Sequence, residues 1–356
     1  MFYRSVSSLA QKLRLTQAQV DMLAPIAEKY PMQIPAYYLS LIDPDDPDDP
    51  IRKMAVPANF EQDKDGSFDT SGEHDNTVLP GLQHKYRQTA LILSTSKCAM
   101  YCRHCFRKRL VGGEDDKEIA ANFGAIVRYI QEHAEITNVL LSGGDSLLIA
   151  NAMVRRWLEA LTRIRHLDFI RFGTRVPVTF PRRITENPEL VSILKEFSAK
   201  KQISIVTQFN HPREITAQSK KAVKLLRGAG AVVKNQTVLL RGVNDDPQTL
   251  GTLLRQLTAM GCMPYYIFQC RPVKGVKGGF QVPLHEGYAI VEAAKAMQNG
   301  FGKHLRYCLS HPTGKIELLG KTDSGDMITK YHEAKDVSDY GKIVIRKTDA
   351  DQCWYN

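Results

Sequence analysis

An incomplete α/β barrel of six strand–helix units is the fold class this sequence predicts, and three observations predict it. Short apolar runs recur at 90–93, 139–141, 169–172, 203–206, 237–240 and 265–268. Amphipathic segments of helical period separate or follow them, near 117–133, 151–165, 185–198, 215–229, 247–260 and 285–298. Alternation of this kind makes a parallel sheet with right-handed crossovers, whose chemistry sits at the C-terminal ends of the strands. A polar or glycine-rich cluster accordingly follows each run: Cys98 to Cys105, Ser142 to Asp145, Gly173-Thr174-Arg175, Gln208 to His211, Arg241 to Asp245, and Gln269-Cys270-Arg271.

The flanks read differently. Leu9, Leu13, Leu15, Val20, Leu23, Ile26 and Ala27 recur at three-to-four spacing, which predicts helices over the first 42 residues until Pro31 and Pro35 interrupt. The Asp/Pro repeat 43–50 makes neither helix nor strand. Residues 61–77, rich in Gly and Asp, read as a loop. Past residue 300, strand patterns at Lys315-Ile316-Glu317-Leu318-Leu319 and Met327-Ile328-Thr329-Lys330-Tyr331 predict a short strand-rich extension. The expected division is an N-terminal helical arm and loop over 1–85, the partial barrel over 86–300, and the extension over 301–356.

The 356 residues are 43% hydrophobic, ample for one core of barrel size. No stretch is apolar enough to cross a membrane, and seven cysteines are too few for a disulfide framework. The expectation is a cytoplasmic protein in a reducing compartment. The net charge of +10 is spread along the chain rather than gathered in a tail, and no stacking or groove-binding motif accompanies it. A basic surface with an anion-binding site explains it better than a nucleic-acid partner.

Cys98, Cys102 and Cys105, at Cys-x3-Cys-x2-Cys, can hold three irons of a [4Fe-4S] cube and leave the fourth open. With His104 the same cysteines could instead hold zinc, but structural zinc sites pair two hooks and no second hook stands nearby. The spacing, with an aromatic residue just before the middle cysteine (Tyr101), resembles the radical S-adenosylmethionine (SAM) superfamily. That resemblance implies SAM on the open iron and a 5′-deoxyadenosyl radical from the reduced cluster. It also implies a SAM-binding set of Tyr101, Ser142, Gly143, Gly144, Asp145, Arg175, Gln208, Asn210 and His211, in which the glycines admit the methionine end and Asp145 or a backbone carbonyl receives its ammonium.

Further blocks narrow the resemblance. They include 35–44, Pro80-Gly81-Leu82-Gln83-His84-Lys85-Tyr86, Met100 to Cys105, Leu140 to Asp145, Phe209-Asn210-His211-Pro212, 235–245 and 264–270. The chain is similar to the lysine 2,3-aminomutases over roughly 30–335. This similarity implies a third cofactor, pyridoxal 5′-phosphate (PLP), anchored by a lysine that falls on Lys315, with Lys85 and Arg87 toward its phosphate. A family arginine in that region is Thr89 here. Arg107 matches the residue that pairs with the substrate α-carboxylate, a task suited to a guanidinium. The positions that carry lysine-specific aspartates hold Arg271 and Cys308. Reversal of sign at Arg271 repels a distal ammonium and favours a distal carboxylate, so the expected substrate is glutamate-like rather than lysine. Where the lysine enzymes bind zinc this chain has Asp246 and a lone Cys353, so no zinc is expected.

The implied partners are a small amino-acid substrate and an external electron donor such as flavodoxin or ferredoxin, in a homo-oligomer. Alternatives remain open: a radical SAM relative without PLP, a lysine aminomutase-like enzyme serving elongation factor P modification, and a nucleic-acid-binding iron–sulfur protein.

Overall fold

The computed structural model describes residues 1–112 and 119–355. A two-strand ribbon pairs β1 (Phe2–Tyr3) with β2 (Ile34–Pro35). All other strands lie in one twelve-stranded sheet, in sequence order. It begins with an antiparallel lead-in, β3 (Thr77–Leu79) and β4 (Leu82–Tyr86). The parallel body runs through β5 (Thr89–Thr95), β6 (Asn138–Gly143), β7 (Phe169–Gly173), β8 (Gln202–Thr207), β9 (Val232–Leu239), β10 (Met263–Gln269) and β11 (Arg306–His311). Antiparallel β12 (Gly314–Lys321), β13 (Met327–Ala334) and β14 (Ile343–Arg346) complete it.

The six expected barrel strands are present, with one addition. β11 is a seventh parallel strand, formed by residues whose charge and short length hid it from a reading by apolar runs. β9 starts five residues earlier than its apolar core, because Lys234 and Gln236 alternate with buried Val233, Asn235 and Thr237. Helices Asn151–Thr162, Pro188–Ser198, Ala217–Gly228, Pro247–Ala259 and Leu284–Ala296 fall where the period placed them, and Phe123–Glu132 begins later than 117. Part of that expected early turn lies outside the described residues. Asn187 and Asp246 cap the second and fourth of these helices and each is followed by proline at the first turn, a favourable start. The 61–77 stretch is more ordered than a loop: Asp69 accepts from the backbone N–H groups of Glu73 and His74 and opens a short helix, Glu73–Asn76.

Leu141, Ile170, Phe172, Ile203 and Ile205, all buried, fill the space inside and around the sheet. The N-terminal arm packs on the cysteine loop, which has no regular structure of its own. Gln33 donates to the carbonyls of Cys98 (2.8 Å) and Ala99, and Tyr101 N–H donates to Gln33 O. Arg103 is buried and donates to Glu61 as well as to the carbonyls of Tyr30 and Pro31. Lys108 reaches the same carboxylate at 2.5 Å. Removing one member of such a buried cluster strands the others. Glu61→Ala is therefore expected to destabilise the apoprotein by about 3 kcal/mol or more, read as a lower denaturant midpoint at unchanged slope.

Candidate active site

Loops after β5, β6, β7, β8 and β10 converge on one cavity of about 350 Å³. Cys98, Cys102 and Cys105 line one end, and all three thiols are free. Burial, followed by Asp145 and the companion thiols, pushes Cys98 up; burial and Cys102 push Cys105 up to about 11. The triplet thus forms one electrostatic unit. Cys270 also lines the cavity, but its electrostatic neighbours are Cys353 and Arg271. Three free thiols facing one recess suit a cube with an iron left over.

Arg175, Ser142 and Gln208 line the cavity beside the thiols. The Arg175 guanidinium donates to Cys102 Sγ (2.7 Å), Glu214 (2.6 Å) and the Gln208 carbonyl (3.0 Å). Gly143 and Gly144 are required by packing: a Cβ on Gly143 would lie 2.3 Å from Thr95 O, and one on Gly144 2.4 Å from Lys97 O. Their backbone therefore lies against the segment that delivers Cys98, and both glycines line the cavity. Asp145 is buried, and its carboxylate accepts from Thr174 Oγ1, Arg175 N and Leu147 N. It ties two loops together while lining the cavity.

Farther in stands an arginine cluster around one carboxylate. Glu73 accepts from Arg107 Nε (2.9 Å) and Arg109 (3.1 Å). Burial would raise its pKa, but the guanidiniums of Arg107, Arg271 and Arg109 outweigh burial and hold Glu73 below the usual carboxylate range. Arg107 also donates to Ser142 Oγ (3.0 Å). Arg271 lies 4.2 Å over the Phe106 ring and donates to Ser310 Oγ (2.7 Å), while its Nη1 is buried with no hydrogen-bond partner. Burial, partly offset by Glu73, pushes the Arg271 guanidinium down to about 10.

The far wall comes from β4, β7, β12 and β13. Lys315 reaches into the cavity from β12 and pairs with Glu333 at 2.5 Å. Lys85 donates to His311 O (2.6 Å) and Ser71 O (3.3 Å). Burial, followed by Arg271 and Lys315, pushes the Lys85 ammonium down to about 7. Arg171 donates to Asn138 Oδ1 (2.5 Å), which Thr89 Oγ1 also contacts, and its buried Nε has no partner. A lysine, a second cation and an unsatisfied guanidinium on one wall suit a phosphate-bearing aldehyde.

Five expected site residues lie outside the cavity lining. Tyr101 packs on Gly112, at the outer side of the cysteine loop. Asn210 is spent on structure: its Oδ1 accepts from Val238 N and its Nδ2 meets His104. His211 accepts from Arg213 N and opens a short helical turn. Arg87 is exposed in the turn between β4 and β5, and Tyr86 lines the cavity instead. Cys308 is buried in β11, and Ser310, two residues on along the same strand face, lines the cavity in its place. Asp246 caps its helix through Thr249 N. Glu73, Arg171, Ser310 and Glu333 were not singled out from the sequence. Glu73 sat in an apparent loop, and the others needed the strand register that only pairing supplies.

The Radical SAM superfamily profile matches residues 92–253. A provisionally named L-lysine 2,3-aminomutase of Aquifex aeolicus is 40% identical over 94% of this chain and 89% of its own length. The L-lysine 2,3-aminomutase of Clostridium subterminale is 38% identical over 96% and 79%. The chain belongs to the lysine 2,3-aminomutase family. The glutamate 2,3-aminomutase of Clostridioides difficile, 36% identical over 88% of this chain and 74% of its own, is a relative as well. The protein is an isomerase of the radical SAM aminomutase group, and membership of that group implies a [4Fe-4S] cluster and SAM. After anaerobic reconstitution, Cys102→Ala is expected to lose most of its iron and His104→Ala to keep the parent content, as read by iron analysis and charge-transfer absorbance.

Proposed function

We propose that this protein is a PLP-dependent 2,3-aminomutase whose substrate carries two carboxylates, glutamate being the simplest case. One observation carries the choice of substrate. Each carboxylate lining the cavity is already engaged: Glu73 by Arg107 and Arg109, Asp145 by Thr174 and Arg175, and Glu333 by Lys315. Arg271 keeps a buried donor without a partner. A distal ammonium would meet no free acceptor among these carboxylates, and a distal carboxylate would satisfy an orphaned donor.

When bound, the cluster with SAM supplies an adenosyl radical and PLP supplies a carbonyl to carry the migrating amino group. The protein's own residues hold and orient. Cys98, Cys102 and Cys105 grip the cluster, and Arg175 sets a positive charge beside Cys102. Arg107, fixed through its Nε by Glu73 and through its Nη1 by Ser142, offers its remaining N–H groups to the α-carboxylate. Arg271, steadied by Ser310 and by the Phe106 ring, takes the distal carboxylate. Lys315 anchors PLP, with Lys85 and Arg171 toward the phosphate. Fixing both ends of the substrate places its C2 and C3 at one spot, the positional part of catalysis.

Two measurements test the reading. Anaerobically reconstituted protein with SAM, PLP and reductant is expected to convert glutamate to its β-isomer faster than lysine. Arg271→Met is expected to lower kcat/KM for glutamate on the order of 100-fold, the cost of removing one partner of a desolvated charge pair. An unchanged glutamate rate in Arg271→Met would sink the choice of substrate. A PLP adduct absorbing near 420 nm that borohydride does not fix to Lys315 would sink the anchor.

A further inference from the structure

We propose that Glu333 is the proton partner of Lys315: its carboxylate holds the lysine as an ammonium, aimed into the cavity, and accepts the proton when Nζ becomes a nucleophile. This rests on the reading of Lys315 as the PLP anchor and goes beyond it by naming the residue that governs the anchor's reactivity.

The placement begins in the backbone. Lys315 and Glu333 are register partners across β12 and β13, so their side chains emerge on one face. The preceding residue must be glycine. A Cβ on Gly314 would lie 2.2 Å from Glu333 O and 2.9 Å from Ala334 Cα, backbone atoms that cannot move aside. Gly314 therefore lets β12 and β13 close at the level where the two side chains meet. The result is a 2.5 Å contact between Nζ and Glu333 Oε2.

The surroundings leave Glu333 as the acceptor. Tyr86 from β4 and Tyr266 from β10 place ring faces 5.0 and 5.3 Å from Nζ. Lys85, also from β4, brings a like charge, and Cys308 from β11 a buried thiol. His332 on β13 turns to Tyr266 Oη (2.8 Å). Arg171, from β7, faces Glu333 and donates to Asn138. Burial would raise Glu333, but Lys315, His332 and Arg171 outweigh it and keep it a carboxylate in the resting protein.

Proton transfer within the pair balances. One N–H bond of the ammonium breaks and one O–H bond forms on Glu333, leaving a neutral amine beside a neutral acid. Nothing is oxidised. In a half-buried site such a neutral pair costs less than it would in water, where two separated ions are well solvated.

The test uses the full-length protein with PLP alone, before any radical chemistry. Attachment is trapped with borohydride and located by mass as a function of pH, in the parent, Glu333→Gln, Glu333→Asp and Lys315→Ala, with circular dichroism and iron content as folding controls. The parent is expected to carry the label on Lys315. In Glu333→Gln the pH of half-maximal labelling should fall by about one unit or more, because no carboxylate favours the ammonium. Glu333→Asp should restore the parent profile, a rescue that a merely structural role would not produce. If the parent is labelled on Lys315 and the Glu333→Gln profile superimposes on it, the assignment of Glu333 is wrong and the anchor stands. If the parent carries no label on Lys315, or Lys315→Ala is labelled as strongly, the anchor itself is wrong and the proposal falls with it.

Discussion

One buried carboxylate, Glu61, carries much of what holds the thiol end together. Residues 98–112 form neither helix nor strand, so no ladder of backbone bonds fixes the three cysteines. Side chains must do it. Glu61 takes Arg103 and Lys108 at once, and Arg103 spends its remaining donors on the carbonyls of Tyr30 and Pro31. Meeting a buried guanidinium's donors in this way offsets the cost of taking it out of water. The N-terminal arm thereby braces the cysteine loop.

A second charge device separates the two ends of the cavity. At the thiol end, Arg175 is balanced by Glu214, which also accepts from Tyr38 Oη. In the middle, three arginines share Glu73 and retain a surplus of positive charge. At the far wall each of Lys85 and Lys315 has neighbours of both signs. The overall basicity of the chain thus has a local counterpart, in a place suited to anions of small size rather than to a nucleic acid.

The parallel body was legible because its strands are apolar enough to be seen without a partner. β11 was not: its apolar run, Tyr307-Cys308-Leu309, is short and flanked by Arg306, Ser310 and His311, and β10 offers it a parallel edge. In the site, the cysteines, Arg107, Arg175, Arg271 and Lys315 could be singled out because each is tied to a motif, and the structure brings them to one cavity. Asn210 and Asp145 lie in the same motifs, yet their side chains are engaged in joining loops, and His211 is engaged within its own turn. Sequence spacing tells which residues meet, not which of them keep a free hydrogen bond. Glu73 and Glu333 show the converse, since carboxylates in unremarkable segments become decisive once pairing sets them against cations.

The order of these parts along the polypeptide has a consequence for biosynthesis. Glu61, Arg103 and the Gly275 carbonyl that meets Lys108 have all been synthesised by position 275. The lysine and carboxylate of the opposite wall come last, on hairpin strands that have nothing to pair with until β11 is laid down. On the ribosome, a chain emerging N-terminus first can therefore bring these braces together while the wall of Lys315 and Glu333 is still unmade. The two ends of the cavity are separated in time by the chain's own direction of growth.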